Sequence, residues 1–268
     1  MVHYVDNLIV GGGITGIFLS YFLRSKSLVI EKEYVGSGAT SLSCGTVYSP
    51  FKSHTHMNMN NITYSNLKSY LAAKSIAIYK SLPITFDMAE LGALFIGSDK
   101  SRNMIQTMYA NGIASGQSIQ HLTGSDIQKI EQNISTAFYN NAIYAPHSFE
   151  INAAEMIHEL SKFVTLKEKT TIISVEKNST TQNYKLDLSD GSNVECKRIF
   201  LTNGTGINEV SRFFGVYVPI IPVKGFIMTM YFDKANNISN NISNMIFSAD
   251  SFYEWSKNQT SPYNINKS

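Results

Sequence analysis

The feature that most constrains the fold of this chain is a glycine-rich turn near its N-terminus. The apolar run 5–10 breaks at Gly11, Gly13 and Gly16, which form the pattern G-x-G-x-x-G, and a second apolar run, 14–23, follows. The first glycine permits a tight turn, the second lets the backbone approach a pyrophosphate, and the third lets a helix pack closely on a strand. The pattern therefore predicts a strand, a phosphate-binding turn and a buried helix, in that order.

An acidic residue ends the next predicted strand. The apolar run 28–30 precedes Glu31, which lies about 20 residues beyond the first glycine, the spacing of an acid that accepts hydrogen bonds from an adenosine ribose. The N-terminus of the helix, where Ile14 and Thr15 lie, would offer free N–H groups to the phosphates. We therefore expect a dinucleotide site. A glycine-rich turn in another α/β fold is the alternative, and Glu31 could instead be an ordinary exposed strand end.

Composition excludes several other classes of protein. The chain has 268 residues, 43% of them hydrophobic, which is ample for a globular core or for two interleaved domains. The net charge is +2 and no block of like charge occurs, so we expect no nucleic-acid or anionic-membrane surface. Cys44 and Cys196 lack the spacing of a metal site, so no metal centre is expected. With no signal peptide and no uninterrupted run of about 20 apolar residues, we expect a soluble, cytoplasmic protein.

The segment after Glu31 distinguishes FAD from NAD as the dinucleotide. It reads GSGATSLSCG over 36–45. Together with VGGGITG over 10–16 and VIEK over 29–32, it resembles the FAD-dependent D-amino-acid oxidase family, which includes glycine oxidase and sarcosine oxidase. The resemblance implies FAD, bound by the glycine turn, by Glu31 and Lys32, and by small residues and hydroxyls of this loop. The loop contacts that the resemblance implies are Ala39, Thr40, Ser41 and Gly45.

Further along the chain the resemblance is looser. Ile172 matches the residue whose backbone lies against the adenine in the family, and Gly204 follows a strand that ends at the FAD. Asn203 departs from the family's usual small apolar residue, and PVKG over 222–225 resembles the start of the family's large substrate sheet. The apolar periodicity predicts helices over 64–82 and 152–163 and strands over 91–97, 170–176, 184–188 and 199–202. The segment 123–126 resembles a weak capping box and predicts a helix start.

The expected fold is of the α/β class, with a Rossmann-like FAD-binding domain of parallel sheet interleaved with an α+β substrate domain of mostly antiparallel sheet. The expected boundaries are 1–82 and 151–215 for the two parts of the FAD-binding domain, 83–150 for the first part of the substrate domain, and 216–268 for the start of the substrate sheet and an Asn-rich tail. Family members commonly run longer, so the substrate sheet is expected to be incomplete, and a second polypeptide could complete it.

The activity that the resemblance implies is oxidation of an amino acid, an amine or a 2-hydroxy acid by hydride transfer to the flavin. In this chemistry the flavin accepts the hydride, while the protein orients a small-molecule substrate and excludes water. No catalytic residue can therefore be named from the sequence. A non-catalytic remnant or subunit that keeps the fold is the first alternative, and an NAD-dependent dehydrogenase is the second.

Overall fold

The computed structural model describes residues 2–24, 26–47, 58–59, 62–114, 118–228, 243–251 and 254. The helices are α1 (Ile14–Leu23), α2 (Tyr64–Ser81), α3 (Arg102–Ala114), α4 (Ser125–Ile130), α5 (Ala153–Ser161) and α6 (Ile207–Ser211), with short 3-10 helices at Asp99–Ser101, Gly204–Gly206 and Arg212–Phe214. The strands are β1 (Val2–Val10), β2 (Ser27–Ile30), β3 (Thr46–Val47), β4 (Asn58–Met59), β5 (Ile62–Thr63), β6 (Met88–Glu90), β7 (Ala93–Gly97), β8 (Gln120–Thr123), β9 (Asn141–Ala145), β10 (Phe149–Ile151), β11 (Leu166–Lys167), β12 (Ile172–Lys177), β13 (Tyr184–Leu188), β14 (Asn193–Leu201) and β15 (Met245–Ser248).

Residue contacts divide the chain into two compact units, each assembled from segments that are distant in sequence. The first unit comprises Met1–Gly45, Pro83–Asp87 and Ile151–Met228, and the second comprises Thr46–Leu82, Met88–Glu150 and Thr229–Ser268. The boundaries expected from the sequence differ from this division at 83–87, which they placed in the substrate domain, and at 216–228, which they separated from 151–215. They also differ at 46–82, which they joined to 1–45. The physical reason is that β3 pairs antiparallel with β10, so the chain joins the second unit directly after Gly45.

The first unit is built on a six-stranded sheet with the order β11-β2-β1-β14-β13-β12. The strands β11, β2, β1 and β14 run parallel to one another. Strand β13 is antiparallel to β14, and β12 is antiparallel to β13. Helix α1 connects β1 to its parallel neighbour β2, which is the βαβ unit that the glycine pattern predicts. The prediction of a parallel sheet in this part of the chain is confirmed.

Aliphatic side chains on both sides of the central strands hold the first unit together. Every residue of β2 is buried, and Leu8 and Ile9 of β1 have no exposed surface. Such continuous apolar strands are typical of a parallel sheet covered on both faces. Cys196 belongs to the same core, and burial raises the pKa of its thiol to about 12, so it is a neutral packing residue.

The second unit contains a four-stranded sheet with the order β15-β7-β9-β8, in which β7, β9 and β8 are antiparallel and β15 runs parallel to β7. Successive residues of β7 pack on opposite faces: Phe95 lies in one cluster with Ile105, and Leu94 lies in another with Ile127. A three-stranded sheet has the order β3-β10-β6, and β4 pairs with β5 in a two-stranded sheet. This mixed sheet confirms the expected α+β character.

One strand boundary and one helix cap differ from the expectations. Strand β14 begins at Asn193, earlier than the expected 199, because it pairs with β1 on one side and with β13 on the other. The expected helix start over 123–126 is confirmed, because α4 begins at Ser125. The expected capping box is wrong: Thr123 ends β8, and Gly124 precedes the helix at φ 51 without a side-chain cap. Most of the Asn-rich tail falls outside the described residues. Within the described part of the chain, no helix is long and apolar enough to cross a membrane.

Candidate functional site

Two glycines of the turn after β1 are required by the packing of the chain itself. Gly11 lies at φ 110, and a Cβ atom there would lie 2.8 Å from the backbone nitrogen of Asn203. A Cβ atom on Gly16 would clash with the carbonyl oxygen of Gly11 and would lie 2.7 Å from Oγ1 of Thr202. These glycines therefore allow α1 to pack against the carboxyl ends of β1 and β14, as the sequence pattern predicts.

Gly13 is different, because neither its backbone conformation nor a clash with backbone atoms requires a glycine there. Its φ of −78° and ψ of −176° are extended values that any residue adopts. Among the described residues, a Cβ atom on Gly13 would meet only Oγ1 of Thr40, in a tight contact of 3.2 Å. In the G-x-G-x-x-G pattern a pyrophosphate approaches the backbone at this glycine, so the absence of backbone contacts to an added Cβ among the described residues fits a dinucleotide.

The first turn of α1 carries the charge character that a phosphate needs. No acidic side chain lies in this turn, which contains Ile14 and Thr15, so the positive end of the helix dipole is not neutralised from within the helix. The N–H group of Ile14 donates to Oγ1 of Thr40, with 3.0 Å between the nitrogen and the oxygen. Other N–H groups of the first turn have no intrahelical partner. The helix end is therefore able to donate hydrogen bonds to an anion.

The carboxylate of Glu31 lies directly against the glycine turn. Its Oε2 accepts a hydrogen bond of 2.6 Å from the N–H group of Gly12, and its Oε1 accepts one of 2.8 Å from the N–H group of Glu33. Glu31 is therefore fixed in place, unlike an ordinary exposed side chain at a strand end. Each carboxylate oxygen retains a further lone pair, which fits a ribose hydroxyl as donor.

The loop over 36–45 begins beside the same turn. The N–H group of Gly36 donates to the carbonyl oxygen of Gly12 at 2.9 Å, and that of Ser41 donates to the carbonyl oxygen of Gly36 at 3.1 Å. Ala39 and Ser41 are exposed on this loop, and Thr40 reaches the helix N-terminus. Gly45 is buried, and a Cβ atom there would clash with the carbonyl oxygen of Ile151, so its identity has a packing explanation.

The remaining residues expected at the site, Lys32, Ile172 and Gly204, differ in how exposed they are. Lys32 is exposed, with its Nζ 3.5 Å from Oε2 of Glu209. The side chain of Ile172 packs in the core of the first unit, so only its backbone is available to a ligand. Gly204 lies at φ 55 in the 3-10 helix after β14, and no atom of the described residues lies within 4 Å of the Cβ that a side chain would add.

Sequence reasoning missed Thr202 and the hydrogen bond made by Asn203, which both shape the site. The hydroxyl group of Thr202 donates to the carbonyl oxygens of Val10 and Gly11, at 2.9 and 3.1 Å, and so joins β14 to the turn. Asn203, expected only as a departure from a family pattern, donates from Nδ2 to the carbonyl oxygen of Gly206 at 2.8 Å and holds the 3-10 helix. These partners are distant in sequence or depend on the backbone, so no local pattern indicates them.

Comparisons with known proteins agree with this geometry. The family model described as FAD dependent oxidoreductase (DAO) matches residues 6–255. No curated protein matches the chain. Solved structures of similar fold include glycine oxidase from Geobacillus kaustophilus, with a TM-score of 0.68 and 20% identity over 81% of this chain and 60% of that chain. L-alpha-glycerophosphate oxidase from Mycoplasma pneumoniae with FAD bound has a TM-score of 0.70 and 15% identity over 93% of this chain and 66% of that chain.

A third similar structure, L-proline dehydrogenase from P. horikoshii, has a TM-score of 0.68 and 15% identity over 92% of this chain and 65% of that chain. At such low identities, the likeness to these three structures shows a shared fold. This chain spans 60–66% of their lengths.

Proposed function

This chain belongs to the family of FAD dependent oxidoreductases (DAO), and we propose that it serves an enzyme that oxidises an amino acid, an amine or a 2-hydroxy acid. The observation that carries the proposal is the turn at the end of β1, where the N–H group of Gly12 binds the carboxylate of Glu31 and a Cβ atom on Gly13 would meet no backbone atom among the described residues. Backbone packing accounts for Gly11 and Gly16, and we propose that a bound pyrophosphate accounts for Gly13.

We propose that the first unit holds FAD along the carboxyl ends of its parallel strands. The N–H groups of the first turn of α1 would bind the pyrophosphate, and Glu31 would accept hydrogen bonds from the adenosine ribose. The proposed contacts are Gly11, Gly13, Ile14, Thr15, Gly16, Glu31, Lys32, Ala39, Thr40, Ser41, Gly45, Ile172 and Gly204. Bound FAD supplies the hydride acceptor, and the residues of the chain bind it, orient it and limit its contact with water.

We further propose that the second unit contributes to the binding of a small-molecule substrate. The similar structures are named for glycine, L-alpha-glycerophosphate and L-proline, all small polar molecules. The α+β architecture of the second unit, with its sheet β15-β7-β9-β8, supports the expected substrate half.

An exposed apolar segment supports the proposal that more polypeptide covers the first unit. Over 216–228 the chain forms no strand, and Val223 and Phe226 are 90% and 86% exposed. A contiguous apolar stretch of this kind is typical of an interaction surface. We propose that further residues, or a second polypeptide, pack here and complete the fold. We also propose that the protein is cytoplasmic. Cell fractionation followed by detection of the protein tests this location.

The proposed activity is tested by anaerobic mixing of the FAD-loaded protein with candidate substrates. Glycine, sarcosine, D-amino acids, L-proline, 2-hydroxy acids and glycerophosphate are added in turn, and the visible absorbance of the flavin is followed. We expect at least one of them to bleach the flavin. FAD that remains oxidised with all of them, under conditions in which dithionite reduces it, would favour a non-catalytic subunit. Bleaching that requires NADH would contradict the proposed substrate class.

A further inference from the structure

The position of the Glu31 carboxylate depends on a neighbouring loop. One of its oxygens is held by the N–H group of Glu33, two residues further along the chain. Since Glu33 lies beyond the end of β2, strand pairing does not fix that N–H group. Something else must hold the loop over 33–35 for Glu31 to present its carboxylate to a ribose.

A second segment, distant in sequence, holds that loop. Oε1 of Glu168 accepts a hydrogen bond of 2.7 Å from the N–H group of Val35. The N–H group of Lys169 donates to the carbonyl oxygen of Glu33 at 3.0 Å. Nζ of Lys169 lies 3.2 Å from Oε2 of Glu33 and 3.9 Å from the ring centroid of Tyr34. We call these five residues, 33–35 and 168–169, the loop clamp.

The backbone of the loop clamp is under strain, which indicates that its contacts determine its conformation. Lys169 lies at φ 52, in the left-handed region that favours glycine. A residue other than glycine persists in such a conformation when the surrounding structure imposes it. Here the imposing contacts are the two from Lys169 to Glu33 and the neighbouring hydrogen bond in which the N–H group of Thr170 donates to the carbonyl oxygen of Glu31 at 2.8 Å.

We propose that Glu168 is a positioning residue for the adenosine end of the cofactor, acting on Glu31 through the loop over 33–35. The inference rests on the proposed FAD site and goes beyond it. Glu168 lies outside the glycine pattern and 137 positions after Glu31, so no pattern in the sequence links the two residues. Its carboxylate binds a main-chain N–H group, so it fixes backbone and not merely a side chain.

Glu168 is a favourable residue for a test, because it is exposed and outside the core. Truncation of its side chain leaves no cavity, so an effect on the cofactor would not arise from a loss of core packing. A glutamine at the same position keeps an oxygen that accepts the N–H group of Val35 and removes only the charge. Alanine removes both the accepting oxygen and the charge.

The experiment compares FAD with two analogues that lack either the 2′-hydroxyl or the 3′-hydroxyl of the adenosine ribose. Dissociation constants are measured by flavin fluorescence for the wild-type protein and for Glu168→Ala, Glu168→Gln and Glu176→Ala. Glu176 is also exposed, lies in the same unit and serves as the matched control. Thermal unfolding of each variant shows that it is folded.

The wild-type protein should bind FAD about tenfold or more tightly than at least one analogue, because a hydrogen bond to a charged carboxylate is lost. Glu168→Ala should reduce this discrimination to at most about threefold, while Glu168→Gln and Glu176→Ala retain it. In the Glu31→Ala background, Glu168→Ala should have no further effect on the affinity for FAD.

If a folded Glu168→Ala variant still distinguished FAD from the analogues as well as wild type does, the inference would be overturned. It would also be overturned if Glu168→Gln lost this discrimination as fully as Glu168→Ala. A wild-type protein that binds FAD but does not distinguish it from either analogue would also overturn it, while leaving the proposed function intact. A wild-type protein that binds no FAD would overturn both.

Discussion

At the scale of single residues, Gly13 and Gly16 lie in the same turn but experience different surroundings. A side chain at position 16 would clash with the carbonyl oxygen of Gly11, whereas one at position 13 would approach only the hydroxyl group of Thr40. Substitutions at the two positions should therefore separate folding from cofactor binding.

Gly13→Ala should leave the free energy of unfolding within about 1 kcal/mol of wild type, because the extended backbone accepts alanine without strain. It should nevertheless weaken FAD binding by about tenfold or more, because the methyl group enters the space of the pyrophosphate. Gly16→Ala should instead destabilise the fold by about 3 kcal/mol, the cost of overpacking. Urea unfolding and FAD titration measure the two effects.

Equal FAD affinity in Gly13→Ala and wild type would show that the phosphate does not lie over this glycine. Ser37→Ala, in the exposed loop that follows, serves as the control and should alter neither quantity by much.

The residues of the turn could be predicted because their roles follow from spacing along the chain. Gly11, Gly13, Gly16 and Glu31 form a pattern within about 20 residues, and each role in it has a steric or hydrogen-bonding reason. Glu168 could not be found in this way, since its partner Val35 becomes its neighbour only when β11 pairs with β2. No local pattern records such a pairing.

At the scale of elements, carboxylates hold both ends of β15. Before the strand, Oε2 of Glu131 accepts a hydrogen bond of 2.9 Å from the N–H group of Ser243. After it, Oδ1 of Asp250 accepts hydrogen bonds from the hydroxyl group of Ser101 at 2.6 Å and from the N–H group of Ser98 at 3.1 Å. The strand pairs only with β7 among the described strands, so these end contacts matter for its attachment.

Acid should loosen β15 through Asp250. Burial raises the pKa of Asp250, but the hydrogen bonds from Ser101 and Ser98 outweigh burial and lower the pKa below its usual value. A lowered native pKa means that the carboxylate stabilises the folded state above the unfolded pKa of about 3.9, and that this stabilisation is lost as the pH falls through the native pKa.

Asp250→Asn should therefore weaken the protection of the amide groups over 245–248 by about 1 kcal/mol at neutral pH. The difference between wild type and variant should shrink as the pH is lowered below about 4. Hydrogen exchange measured by mass spectrometry, with exchange rates normalised at each pH, follows both quantities. Asp126→Asn, which removes an exposed ion pair with Lys129, is the control and should change little. A difference that grows with acid would contradict the account.

Elements with a strong local pattern were predicted well, and those fixed by tertiary pairing were not. Helix α1 matches its predicted range of 14–23, and β13 matches 184–188. Strand β15 was not predicted, because its four residues acquire strand geometry by pairing with β7, about 150 residues earlier in the chain.

At the scale of the whole molecule, the sequence indicates both kinds of sheet but not the path of the chain between them. The glycine pattern implies a parallel sheet with a crossover helix. The departure of the chain at Gly45 depends on the pairing of β3 with β10, and these strands have two and three residues. Such short strands carry too few residues for a detectable alternation of apolar and polar side chains.

The central claim is that this chain binds FAD, and the most direct measurement is the identity of the nucleotide that it carries. The purified protein is incubated with excess FAD and NAD, separated from free ligand and denatured, and the released nucleotide is identified by chromatography. We predict that FAD is released, at about one molecule per chain for the single site proposed, and that NAD is not. Release of NAD alone, or of no flavin in spite of the excess, would contradict the account.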